Sequence, residues 1–147
     1  MLMTKEKTIF KQGKSYRVRD VVLEYWDSDA FRKLGSASQR DYYDCLTVIN
    51  DDIGTNSMKT LSVSLMQQCY NLWLKRGTYR ANKIAAIMSI LINWSKKNGI
   101  SIENPMPLLE KTPNPPRKVM WEPEQVNQFL HTAYSEWKWR SIGLIVQ

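Results

Sequence analysis

Between Arg76 and Lys83 the chain reads RGTYRANK, which sets Arg76, Arg80 and Lys83 around the start of a helical pattern. Cations at a helix N-terminus oppose the macrodipole, at a cost of about 0.3 to 1 kcal/mol each, so folding gains nothing from them. An external anion does gain, because first-turn amides aim hydrogen bonds outward and a guanidinium grips two oxygens at once. A phosphate group suits this cluster; a solvated polar face is the competing reading. A second helix start, SASQRDYY, offers Ser36, Ser38, Gln39 and Arg40 to a phosphate backbone or a base edge, while capping accounts for the serines equally well. Arg117 and Lys118 lie in a proline-rich segment that should track a surface. Lys96 and Lys97 close a helix at its C-terminus, where cations suit the dipole and need no ligand.

Enzyme chemistry finds little to build on. The chain has no G-x-x-x-x-G-K-[ST] loop, no G-x-G-x-x-G, no H-E-x-x-H and no G-x-S-x-G. Its one histidine, His131, sits beside Phe129 and Leu130 on a helix and is not expected to be catalytic. Cys45 and Cys69 fit no metal-ligand spacing and read as buried thiols. No metal and no cofactor is expected.

The elements that must hold these residues are helical. Val18, Val21, Val22, Tyr25 and Trp26 recur at helical spacing, then Asp27 reads as a local cap before Ala30 to Leu34, closed by Gly35. Ser36 and Gln39 form an S-x-x-Q capping box that opens a second helix, with Tyr42, Leu46, Ile49 and Ile53 as its stripe up to Gly54. Ser64 and Gln67 repeat the box for a third, with Leu65, Cys69, Leu72 and Trp73 as its stripe and Gly77 as its end. Thr78 can cap a fourth, in which Ile84, Ile87, Leu91 and Trp94 lie on one side, broadened by Ala85, Met88 and Ile92. Gly99 and Asn104-Pro105 close it. The tryptophans and tyrosines at helical spacing read as core rather than as a base-stacking platform.

This predicts an all-α fold: a four-to-five-helix bundle over residues 16–105, after a Lys-rich, mobile or extended arm over 1–15. NPMPLLEKTPNPPRKV holds five of the six prolines and reads as an extended linker over 106–119. Over 120–147, Pro123 starts a helix carrying Val126, Phe129, Leu130 and Ala133, and a last helix begins near Trp137. Two helices cannot readily enclose a second core, and the apolar ending at Ile145 and Val146 lacks a cap. The expectation is that the chain stops inside a second domain.

Charge narrows the partners. Lys plus Arg number 21 against 14 Asp plus Glu, a formal +7, with a pI near 9.5, and a polyanion suits that balance. No apolar run approaches about 18 residues and no signal-peptide pattern is present, so a soluble, intracellular protein without a membrane partner is expected.

The order SASQRDYYDCLTVINDDIG, then LSVSLMQQCYNLWLKRGTYRANKIAAIMSILINWSKKNGISIENP, then a proline linker and EPEQVNQFLHTA resembles the tyrosine recombinases, or phage-type integrases. The resemblance covers about residues 16–147 and rests on the order of loose motifs. It implies a SAM-like core-binding domain followed by the first helices of a catalytic domain, the two forming a clamp on double-stranded DNA at a recombination site. Carried over, the second and fourth helices face DNA, which implicates Ser38, Gln39 and Arg40, and Thr78, Arg80, Asn82 and Lys83, beside Arg76 from the charge argument; Arg117 and Lys118 would follow the backbone. None of the family's catalytic residues falls on this sequence, so the chain as given should bind DNA without cutting it. The resemblance further implies recombinase protomers as partners of the full-length protein and the cytoplasm of a bacterial host. A helical protein-interaction module with a basic face is the alternative.

Overall fold

A computed structural model describes residues 9–11, 13–100, 102–116 and 120–135. The chain divides into two compact units, Met1–Asn114 and Pro115–Gln147. Among the described residues the fold is all-α: α1 (Val18–Trp26), α2 (Asp29–Arg32), α3 (Ser36–Ile53), α4 (Val63–Leu74), α5 (Thr78–Lys97) and α6 (Pro123–Ser135). Short 3₁₀ turns cover Met58–Thr60 and Met106–Leu108. The first unit holds α1 to α5 and the second holds α6.

α5 is the central helix, packing against α1, α3 and α4. Its apolar residues explain this: Ala81, Ile84, Ala85, Ile87, Met88, Leu91 and Ile92 are buried, a stripe too wide for one neighbour. α1 adds Val18, Val21, Val22 and Tyr25, and α3 adds Cys45, Leu46, Ile49 and Ile53. Each large aliphatic side chain buried this way contributes about 1.5 to 3 kcal/mol.

The helices match the sequence reading, but their caps shift. Ser28, not Asp27, caps α2, accepting the Phe31 amide at 3.3 Å, while Asp27 pairs with Arg32. Gly35 is the N-cap of α3, so the expected Ser36 capping box does not form. Ser62 caps α4 through the Leu65 amide at 3.2 Å, so the Ser64 box does not form either. The α4 stripe turns accordingly: Met66, Cys69, Tyr70 and Trp73 are buried, while Leu72 is exposed. Thr78 is the first residue inside α5, and Gly77 is its N-cap at φ +103°, a conformation that glycine adopts without strain.

Two segments expected to be extended belong to the first unit. Phe10, in the Lys-rich lead, is buried at 2% exposure, edge-on to Tyr16 and Trp94, and its amide donates to the Asn98 carbonyl at 3.0 Å. An aromatic ring gains too much from burial to stay on a mobile arm. The proline-rich segment likewise packs down past the boundary expected at residue 105: Met106 and Leu109 are buried, and the compact unit runs to Asn114. Gln67 holds this segment at two points, donating to the Glu110 carbonyl and accepting its amide at 2.9 Å.

In the second unit, Pro123 opens α6 as expected, and the Gln125 side chain reaches back to the Glu122 amide at 3.1 Å. Ala133 is buried, Val126, Phe129 and Leu130 are half-buried, and Trp121 packs edge-on to Phe129. The helix expected from Trp137 lies outside the described residues.

Candidate nucleic-acid interface

The N-terminal halves of α3 and α5 meet at one rim of the bundle, where Lys83 bonds Asp41 and the charges of Arg80 and Lys83 both reach Cys45 of α3. Both helices begin at glycine, and neither start carries a side-chain cap. Elsewhere a serine caps α2 and α4, and Asp20 reaches back to the Arg17 amide at 2.9 Å before α1. The uncapped amides of α3 and α5 therefore lack a protein acceptor among their own side chains, which leaves them for an anion or water.

Three arginines stand around these turns. Arg40 and Arg76 are exposed and Arg80 is half-buried, and among the described residues none of the three has a carboxylate at ion-pair distance. Tyr79 lies between Arg76 and Arg80 in the chain and is 70% exposed. Lys83 differs: its Nζ donates to Asp41 Oδ2 at 2.6 Å, and it lies 6.0 Å from the centre of the Tyr79 ring. The hydrogen bond to Asp41 is the main cause raising the Lys83 pKa above the ordinary lysine value. Lys83 is thus partly neutralised, and the arginines carry the free positive charge.

Two candidates serve the fold. Asn82 accepts from the Tyr70 hydroxyl at 2.7 Å and donates at 2.9 Å to both the Thr112 carbonyl and Asn114 Oδ1. Its amide nitrogen fastens the proline-rich segment to α5, and its oxygen holds the Tyr70 hydroxyl of α4, which itself accepts the Thr112 amide. The Gln39 amide nitrogen donates to the carbonyls of Leu34 at 2.9 Å and Arg32 at 3.2 Å, closing the end of α2. Thr78 is half-buried inside the first turn of α5, and Ser38 is exposed in that of α3. Arg117 and Lys118 lie outside the described residues.

Sequence reasoning missed Tyr79 and Asp41. The signal for Tyr79 was there: Tyr79, Lys83, Ala86 and Ile90 repeat at helical spacing on the side away from the Ile84, Ile87, Leu91 stripe, and Tyr79, Ala86 and Ile90 are exposed. Asp41 gave no local signal, because its partner lies on a different helix.

The thiol of Cys45 sits inside this rim. Burial pushes its pKa up, and the charges of Arg80 and Lys83 act against that shift without reversing it. Among the described residues no group of three or more His, Cys, Asp or Glu side chains could hold a metal, and no helix is long and apolar enough to cross a membrane. No family model, no curated protein and no solved structure matches this chain.

Proposed function

We propose that the chain binds double-stranded DNA through the rim formed by the N-terminal halves of α3 and α5, as the core-binding module of a tyrosine recombinase. The observation that carries this reading is that Arg40, Arg76 and Arg80, none with a carboxylate partner among the described residues, lie in or beside two helix starts that lack side-chain caps. Free first-turn amides and guanidinium groups suit backbone phosphates, which position a protein on duplex without reading sequence. Tyr79 adds a flat apolar surface among the cations, suited to the sugar edge of the backbone. The resemblance in motif order supplies the recombination context and the clamp.

On this reading the chain holds DNA and performs no strand transfer, since no nucleophile or catalytic arginine is assigned to it. Phosphate contacts alone give weak binding at physiological salt. Competition between a short duplex, a structured RNA and an acidic protein separates this reading from a protein-interaction module. Duplex is expected to displace both competitors at low salt. Retention of the acidic protein with no measurable duplex affinity would favour the interaction module instead.

A further inference from the structure

A second basic site lies at the opposite end of α5. The helix runs for 20 residues, so its two ends stand about 30 Å apart. There Lys11, Gly13, Lys14, Tyr16, Lys59 and Gly99 line a cavity of about 320 Å3, the low end of the size range of ligand pockets.

Three separate devices bring the lysines together. Burial of Phe10 and its bond to the Asn98 carbonyl fix the chain just before Lys11. An antiparallel bridge joins Arg17 to Ser57, with the Met58 amide on the Tyr16 carbonyl at 2.8 Å and the Val18 amide on the Asn56 carbonyl at 2.9 Å. That bridge draws Lys14 and Ser15 alongside the 3₁₀ turn that presents Lys59, and the hydroxyls of Ser15 and Ser57 meet at 3.0 Å. Gly13 turns the chain back at φ +83°.

Tyr16 is held in place. Its hydroxyl oxygen accepts the Lys11 amide at 2.9 Å, and Lys14 Nζ lies 5.5 Å from the ring centre. The hydroxyl hydrogen has no acceptor among the described residues. None of Lys11, Lys14 and Lys59 has a carboxylate at ion-pair distance among those residues. The electronegative end of α5 would repel an anion if bare, but its carbonyls are occupied: Asn98 and Gly99 amides bond Trp94, Ser95 and Lys96, and the Ile100 amide bonds Ser95. Three lysines lining one cavity, with no carboxylate at ion-pair distance among the described residues, repel each other, and an occupant of opposite charge would relieve that repulsion.

We propose that this cavity binds a phosphate group, with Lys11, Lys14 and Lys59 supplying charge and the Tyr16 hydroxyl donating a hydrogen bond. The group is either a backbone phosphate of duplex or a phosphate carried by a small molecule, and the test separates them. Amide spectra of the full chain are recorded with inorganic phosphate and with sodium chloride at equal ionic strength. Phosphate is expected to move the Gly13 and Gly99 amides saturably, with half-saturation near about 1 mM. The double variant K14A/K59A should weaken that binding about tenfold or more with an unchanged melting temperature, since both ammonium groups are exposed.

A duplex arm follows. If the pocket holds backbone phosphate, duplex moves the same two amides and K14A/K59A flattens the salt slope by about 2. If duplex leaves them still while phosphate moves them, the ligand is a small phosphate-bearing molecule. Shifts that rise linearly with phosphate and match those in chloride overturn the proposal, whatever the variants do. The phosphate arm contains no DNA, so its result stands apart from the fate of the arginine rim.

Discussion

Lys83 Nζ lies 2.6 Å from Asp41 Oδ2, a bond that ties the second turn of α5 to that of α3. One contact thus links the two helices across the rim and removes one cation from it. A lysine expected to face a phosphate is held by a carboxylate instead, so Asp41 competes directly with any anion at this place.

Asp41→Asn should therefore act in opposite directions on stability and on binding. Losing a partly exposed ion pair is expected to cost about 0.2 to 1 kcal/mol at neutral pH. The Lys83 pKa is raised in the folded state above its ordinary 10.5, so the pair stabilises fully below that value and its contribution is lost as pH rises through the raised pKa. The gap in unfolding free energy between wild type and Asp41→Asn should hold constant from neutrality to about pH 10 and shrink above it. On duplex, freeing Lys83 should steepen the salt slope by about 1. Denaturant melts across pH and binding isotherms check the two halves.

Asn82→Ala should lower stability rather than weaken duplex binding alone. The substitution strands the hydroxyl hydrogen of buried Tyr70 and frees Thr112 and Asn114, at a cost of about 1 to 3 kcal/mol. Hydrogen exchange at Glu110 and Thr112, whose amides bond Gln67 and Tyr70, should accelerate in the same variant.

Phe10→Ala tests whether the N-terminal segment belongs to the fold. Removing a ring at 2% exposure that packs on Tyr16 and Trp94 should cost about 3 kcal/mol. The melting temperature should fall by roughly 10 °C or more. A fall within a degree or two would return this segment to the status of a mobile arm.

Cys45 and Cys69 are free, buried and pushed to higher pKa chiefly by that burial. Both should resist maleimide in the native protein near neutral pH and react at once in denaturant. Fast native labelling of Cys45 would mean that the rim between α3 and α5 opens.

Apolar periodicity made the helices legible. The stripe of Ile84, Ile87 and Leu91 and the terminal glycines at 35, 54 and 77 place α3 to α5 without any long-range information. Caps were less legible, since Ser62 and Ser64 each satisfy a local pattern. Tertiary packing decides between them: burying Met66, Tyr70 and Trp73 together turns α4 so that Leu72 faces out. The segments 9–16 and 106–114 misled for a related reason, because lysines and prolines masked single anchors, Phe10, Met106 and Leu109, whose partners lie far along the chain. At the rim the cations could be read from their spacing, whereas the Lys83–Asp41 pair and the three bonds of Asn82 connect residues that only the folded bundle brings together.

If the arginines hold phosphates, the salt dependence of duplex binding must fall when they are removed. Arg40, Arg76 and Arg80 are each expected to neutralise about one phosphate, contributing about −0.9 apiece to the slope of log K against log salt. Wild type and the triple variant R40A/R76A/R80A are compared on one duplex across a salt series, with melting temperatures measured alongside. The slope should be flatter by about 2 to 3 in the variant at an unchanged melting temperature. Identical slopes for the two proteins, both folded, would contradict that expectation and remove the rim of α3 and α5 from any role on DNA.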